Sequence, residues 1–143
     1  MQTIQEVMTP DVQTISSQET VQRAAQLMDE LNVGAIPVVD DGKLIGMVTD
    51  RDITVRSVAV GQDPTSTRVN EVMSTDVRTC TVEQSVDDVL AQMADVQIRR
   101  VPVVDADGQI IGIVSLGDVV TKAPADVEQT LDEISTPSEP DRS

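Results

Sequence analysis

The chain has 143 residues, 39% of them apolar, which suits one ordinary domain or two small halves sharing a core. Phe, Tyr, Trp and His are all absent, so the core is aliphatic, no ring can stack on a base, and no imidazole can serve as a general base. Ten basic residues against twenty-five acidic ones give a formal charge of −15, and with no basic run to displace counterions the composition argues against nucleic-acid binding.

The opening "MQTIQEVMTP" has neither a basic start nor an apolar run, and nowhere does the chain offer the roughly 18 apolar residues of a membrane helix. A soluble, unprocessed, cytoplasmic protein without a membrane partner is expected. A strand is predicted over 12–15, followed by a helix that Thr20 caps. Val21, Ala24, Ala25, Met28 and Leu31 follow the spacing of one buried helical face. "IPVVDDGKLIGMVT" then reads as two apolar strands joined at an Asp-Gly turn, with Pro at a strand entry or edge, and a second helix begins at about Asp50.

The same series then repeats. "EVMTPDVQT" from Glu6 matches "EVMSTDVRT" from Glu71 at an offset of 65, as do Pro37 with Pro102 and Asp40 with Asp105. Beyond the turn the offset is 66, carrying Gly46, Thr49 and Asp52 onto Gly112, Ser115 and Asp118, so the one-residue insertion falls between "DDGK" and "DADGQ". The second copy has a strand over 77–80, a helix capped by Ser85 with Val86, Val89, Leu90, Met93 and Val96 on its buried face, a hairpin, and a helix from about Leu116. The fold class is α/β (α+β): two β-α-β-β-α repeats, 1–60 and 69–124, packed about a pseudo-twofold axis and joined by a linker over 61–68. Val127, Leu131 and Ile134 suggest a short amphipathic helix within an acidic, otherwise disordered tail over 125–143.

In each copy a hydroxyl, Thr49 or Ser115, ends a strand, and a carboxylate, Asp52 or Asp118, follows in the first helical turn. A helix start favours an anion, so the hydroxyl could join it in holding a phosphate, while an ionised Asp can accept the two hydroxyls of a ribose. Either motif alone reads more readily as a helix cap; its recurrence in register favours a nucleotide site. Enzymatic chemistry has little support, since phosphate-cradling and dinucleotide glycine motifs are missing. Cys80 aligns with the apolar Ile15 and is expected to be a buried thiol. Asp50 and Asp52 form a D-x-D read as a ribose ligand beside a solvated helix-start acid, not as a metal site.

The two stretches "GMVTDRD" and "GIVSLGD", each behind an apolar-Pro-Val strand, resemble the signature of the cystathionine β-synthase (CBS) domain, and residues 1–124 resemble a tandem CBS pair, or Bateman module. "TDRDI" is similar to small stand-alone prokaryotic CBS-pair proteins. The resemblance implies a regulatory sensor that binds AMP, ADP or ATP, or in some members S-adenosylmethionine, NAD or a cyclic dinucleotide, with no required cofactor and no catalytic or metal residue. It also implies a homodimer acting on an effector protein; a ligand-independent adaptor is the alternative. Carried over, Asp52 and Asp118 contact ribose, Thr49 and Ser115 phosphate, and Met47 and Ile113 adenine, with Thr14 and Thr79 as further contacts. The copies differ in charge: Arg99 and Arg100 precede the second hairpin where the first has Gly34 and Ala35, while Arg51 lies inside the first motif opposite Gly117. Two unequal sites are expected, the one at Ser115, Asp118 and Arg100 being stronger for a phosphorylated ligand.

Overall fold

Which segments complete which hairpin is the main point that the sequence leaves open. In a computed structural model, which describes residues 2–96 and 98–122, one unit spans Gln13–Val77 and the other joins residues 2–12 to the described residues from 78 to 122. The helix and tail expected over 125–143 lie outside the described residues.

In the Gln13–Val77 unit, α2 (Val21–Leu31) starts where expected, with the Thr20 hydroxyl accepting the Arg23 N–H. The donors ahead of it are met by the 61–68 segment: Val21 N–H goes to the Thr67 carbonyl and Gln22 N–H to that of Pro64. Asn32, left-handed at φ 56, ends the helix. Val21, Ala24 and Met28 are buried, but Ala25 and Leu31 are exposed. The buried stripe turns towards Leu27 instead, which packs against the same core. β1 (Ala35–Asp40) and β2 (Lys43–Thr49) form an antiparallel hairpin whose two-residue turn, Asp41 and Gly42, has both φ values positive (53 and 80). Ile45 is left out of the pairing between Val38 with Gly46 and Val39 with Leu44, a bulge that points to the glycine beside it.

Residues 67–74 strap this hairpin. Val69 N–H bonds to the Glu19 carbonyl, a 3₁₀ turn (Val69–Glu71) buries Val69 and Val72 in the core with Ile15, Val21, Ile36, Val38 and Val48, and Ser74 exchanges both backbone bonds with Met47 at 2.8 and 2.9 Å. The strap crosses at Gly46, where an added Cβ would lie 2.7 Å from the Ser74 carbonyl oxygen.

The other unit repeats this plan with residues 2–9 as its strap. Gln2 accepts the Val86 N–H at the start of α4 (Val86–Val96), and α1 (Ile4–Val7) buries Ile4 and Val7 with Val89, Met93, Val101, Val103 and Val114. Thr9 exchanges backbone bonds with Ile113, and a Cβ on Gly112 would lie 2.8 Å from Met8 Sδ and 3.0 Å from the Thr9 carbonyl oxygen. β3 (Arg100–Val104) pairs with β4 (Ile110–Ser115), again with a bulge, at Ile111. The extra turn residue falls where the offset change places it: Asp105 Oδ1 accepts the Asp107 and Gln109 N–H groups at 2.9 and 3.0 Å, with Gly108 left-handed.

The strands expected over 12–15 and 77–80 reduce to single parallel bridges, Ile15 with Val38 and Cys80 with Val103. The first is cut short because Asp40 collects the Ser16 hydroxyl and both the N–H and hydroxyl of Ser17, turning the chain away. The second ends where Thr81 N–H turns to Gln84 Oε1. Pro37 and Pro102 lie two residues inside their strands, not at the entry, each giving its carbonyl to the bridging residue's N–H. The second helices begin as expected, α3 (Asp50–Ile53) running on into a π-helical turn (Thr54–Val58), and α5 being Leu116–Lys122.

Two expectations test this framework. Gly46→Ala and Gly112→Ala should each destabilise by about 1–3 kcal/mol, because the added methyl meets the strap backbone or a packed Met8. Gly117→Ala, whose Cβ meets nothing nearer than 3.7 Å, should be neutral or stabilising in urea unfolding. The serine donors hold the Asp40 carboxyl below its ordinary 3.8, Ser17 contributing most. The resulting stability is fully present above that ordinary value and lost as pH falls through the lower folded value. Asp40→Ala should therefore melt below the parent at pH 6, the gap closing towards pH 3.

Candidate functional site

Each hairpin delivers its hydroxyl and carboxylate to the same place because a strand runs without a loop into a helix. Thr49 is both the last residue of β2 and the N-cap of α3. Its hydroxyl accepts the Asp52 N–H at 3.0 Å and its own N–H donates to Asp52 Oδ2 at 3.0 Å, a reciprocal capping box. The neighbouring donors are also engaged, Asp50 N–H by the Gly34 carbonyl at 2.9 Å and Arg51 N–H by Asp50 Oδ1 at 2.8 Å. An anion here would therefore be met by side chains, or would have to displace these bonds.

The second copy has the same box, Ser115 N–H to Asp118 Oδ2 and Asp118 N–H to the Ser115 hydroxyl, both at 3.1 Å. Arg99 supplies the carbonyl that Gly34 supplies in the first copy, accepting the Leu116 N–H at 2.8 Å. Arg100 lies opposite Ser115 in the β3–β4 register, where Ala35 lies opposite Thr49. The expected charge difference thus falls beside the hydroxyl. Among the described residues no carboxylate forms an ion pair with Arg100. Arg51 is exposed in the first turn of α3.

Met47 and Ile113 occupy equivalent strand positions, opposite Pro37 and Pro102, and each is held on its other side by the strap. Ile113 is buried and Met47 half-buried. Thr14 and Thr79, both half-buried, directly precede the bridging Ile15 and Cys80. The pairing gathers Met47, Thr49 and Asp52 at one hairpin end, and Arg100, Ile113, Ser115 and Asp118 at the other. Thr14 and Thr79 stand across β1 and β3 from them. Cys80 is a buried thiol as expected, burial pushing its pKa up to about 11.

Two site residues escape sequence reasoning. The Thr9 hydroxyl donates to Asp118 Oδ2 at 3.3 Å across 109 residues of chain, and Arg56 brings Nε to 4.0 Å from Asp52 Oδ1. The repeated "EVMTP" and "EVMST" were the available signal for the first, but they do not say which hairpin each segment strikes.

Comparison with known proteins places these features. The family model of the CBS domain matches residues 4–58 and 69–124. A CBS domain-containing protein of Bacillus subtilis, YhcV, is 48% identical over 119 residues, covering 83% of this chain and 84% of its own. The crystal structure of Hypoxic Response Protein I with two coordinated zinc ions superposes with a TM-score of 0.78 at 34% identity, over 85% of this chain and 99% of that one. That of CBSX2 in complex with AMP gives 0.77 at 30% identity, over 87% and 97%. The chain has no histidine, and among the described residues no group of three His, Cys, Asp or Glu side chains is placed to hold a metal ion.

The boxes have a measurable structural role. Thr49→Ala and Ser115→Ala should each lower the unfolding free energy by about 0.5–2 kcal/mol, with Thr49→Ser restoring most of the loss.

Proposed function

We propose, on the footing that the chain belongs to the CBS-domain family as a tandem pair, that it is a regulatory module taking an adenosine nucleotide of the AMP, ADP or ATP type. The observation that carries this reading is the duplicated box: in both copies a hydroxyl and a carboxylate are fixed within one hydrogen-bonded ring at a hairpin's end. AMP in the related CBSX2 supports the ligand class.

The roles follow from what each group has left to offer. The Thr49 and Ser115 oxygens accept a backbone N–H, which leaves their protons to donate to a phosphate. A carboxylate has lone pairs for several donors, so Asp52 and Asp118 can keep their caps and still accept ribose hydroxyls. Met47 and Ile113 provide aliphatic contact for adenine, and Thr14 and Thr79 flank it. On a chain of net charge −15 a phosphate is repelled except near cations, so Arg99 and Arg100 make the second site the stronger and Arg51 serves the first. Occupancy shifts the conformation that an effector protein reads, by no more than the ligand's differential affinity for the two forms, and the working species is a homodimer. A ligand-independent adaptor is the second reading, favoured by the exposed Val55, Val58 and Val60 on and after the π-helical turn.

Calorimetric titration with AMP and ATP separates the two. Nucleotide should bind the parent, Arg100→Ala should weaken it roughly 10- to 150-fold, the range of about 1.5–3 kcal/mol for a charge-assisted contact, and Asp118→Ala should abolish the ribose-dependent part. No heat and no thermal shift with either nucleotide would overturn the AMP/ATP reading and move weight to the adaptor.

A further inference from the structure

Both candidate carboxylates are linked to the strap that crosses their own hairpin, one by a hydrogen bond and the other through an arginine. In the second copy the link is direct: Thr9, whose backbone pairs with Ile113, also donates its hydroxyl to Asp118 Oδ2 at 3.3 Å. In the first copy Ser74 stands in Thr9's place, and the link runs through Arg56. Its Nε lies 4.0 Å from Asp52 Oδ1, while Nη1 donates to the Val72 and Met73 carbonyls, both at 3.2 Å. Those carbonyls belong to the strap immediately ahead of Ser74, which is paired with Met47.

We propose that Arg56 is a positioning residue that reports the state of the Asp52 carboxylate to the 72–74 strap; as a statement about ligand it rests on the nucleotide reading above. The Nε contact at 4.0 Å is an ion pair and not a hydrogen bond, but the guanidinium is planar and rigid, so a shift of its charge relative to Asp52 also moves Nη1. A ligand that takes Asp52 Oδ1 weakens the hold on Nε, and the same plane then changes its grip on the two carbonyls. The strap is poised to respond, because at Gly46 it passes within van der Waals distance of β2 and is fastened there by the reciprocal Met47 and Ser74 bonds. A lysine cannot replace this arrangement: a single ammonium lacks the fixed geometry that ties one partner to the other.

Amide exchange at Met47 and Ser74, followed by NMR with and without AMP and with occupancy checked by calorimetry, tests the relay. In the parent, bound AMP should change exchange at these two amides several-fold; in Arg56→Met and Arg56→Lys, AMP should still bind but leave them largely unmoved. An equal response in parent and Arg56→Met overturns the relay while the nucleotide reading stands. Should AMP not bind, the nucleotide reading of this site fails, and Asp52→Asn decides the relay alone. A change in Met47 and Ser74 exchange in the parent that disappears in the Arg56→Met background supports it; the same change in both backgrounds, or none in either, overturns it.

Discussion

The fold depends on two backbone crossings so close that even a methyl group there would press on the strap. At Gly46 and Gly112 a strap lies on the hairpin, its carbonyl 2.7 Å or 3.0 Å from where a Cβ would stand. Each crossing brings two apolar residues of the strap, Val69 and Val72 or Ile4 and Val7, into an aliphatic core that has no aromatic ring to enlarge it. In such a core the strap's contribution cannot be spared. The bulges at Ile45 and Ile111 belong to the same device, since both isoleucines pack against the core just where the glycine lets the strap pass.

The hydroxyl and carboxylate are placed by the same economy. With no loop between strand and helix, one residue must end the ladder and cap the helix, and a short hydroxyl side chain with an acceptor three residues on does both. Capping and ligand contact are therefore not rival explanations of the motif. The cap ties hydroxyl and carboxylate together, and it does so twice, with Arg100 opposite one hydroxyl-bearing residue in the ladder and Ala35 opposite the other. What differs between the copies is charge and wiring, not scaffold.

Much of this was legible in the chain. The doubled series of caps, helical stripes and Asp-Gly turns gave the elements, and the shift of offset located the inserted residue, because these signals are local. The straps were visible as a repeat but not as straps: a duplicated segment carries the same pattern whichever hairpin it packs on, so the choice of partner is a tertiary fact. Thr9 was missed for that reason, since it reaches Asp118 only once the strap is in place, whereas Arg56 stands one helical turn after Asp52, a spacing the chain does carry, and only its bonds to the strap carbonyls are tertiary. The shortened strands at Ile15 and Cys80, and the exposure of Ala25 and Leu31, reflect side-chain capture by Asp40 and Gln84 and a buried stripe rotated towards Leu27. Periodicity does not register either effect.

The exchange of straps sets what counts as a self-sufficient piece of this chain. Each sequence repeat begins with the segment that completes the other repeat's unit, so neither can close its own core when cut out at the repeat boundary. Two copies of a single repeat could, however, close on each other, each lending its leading segment to its twin across a symmetric pair. In the tandem chain residues 67–74 close the unit of the first hairpin and residues 2–9 that of the second. Duplication then supplies permanence: a trade between molecules, dependent on concentration, becomes one within a single polypeptide, and the two copies are free to diverge in charge without ceasing to need each other.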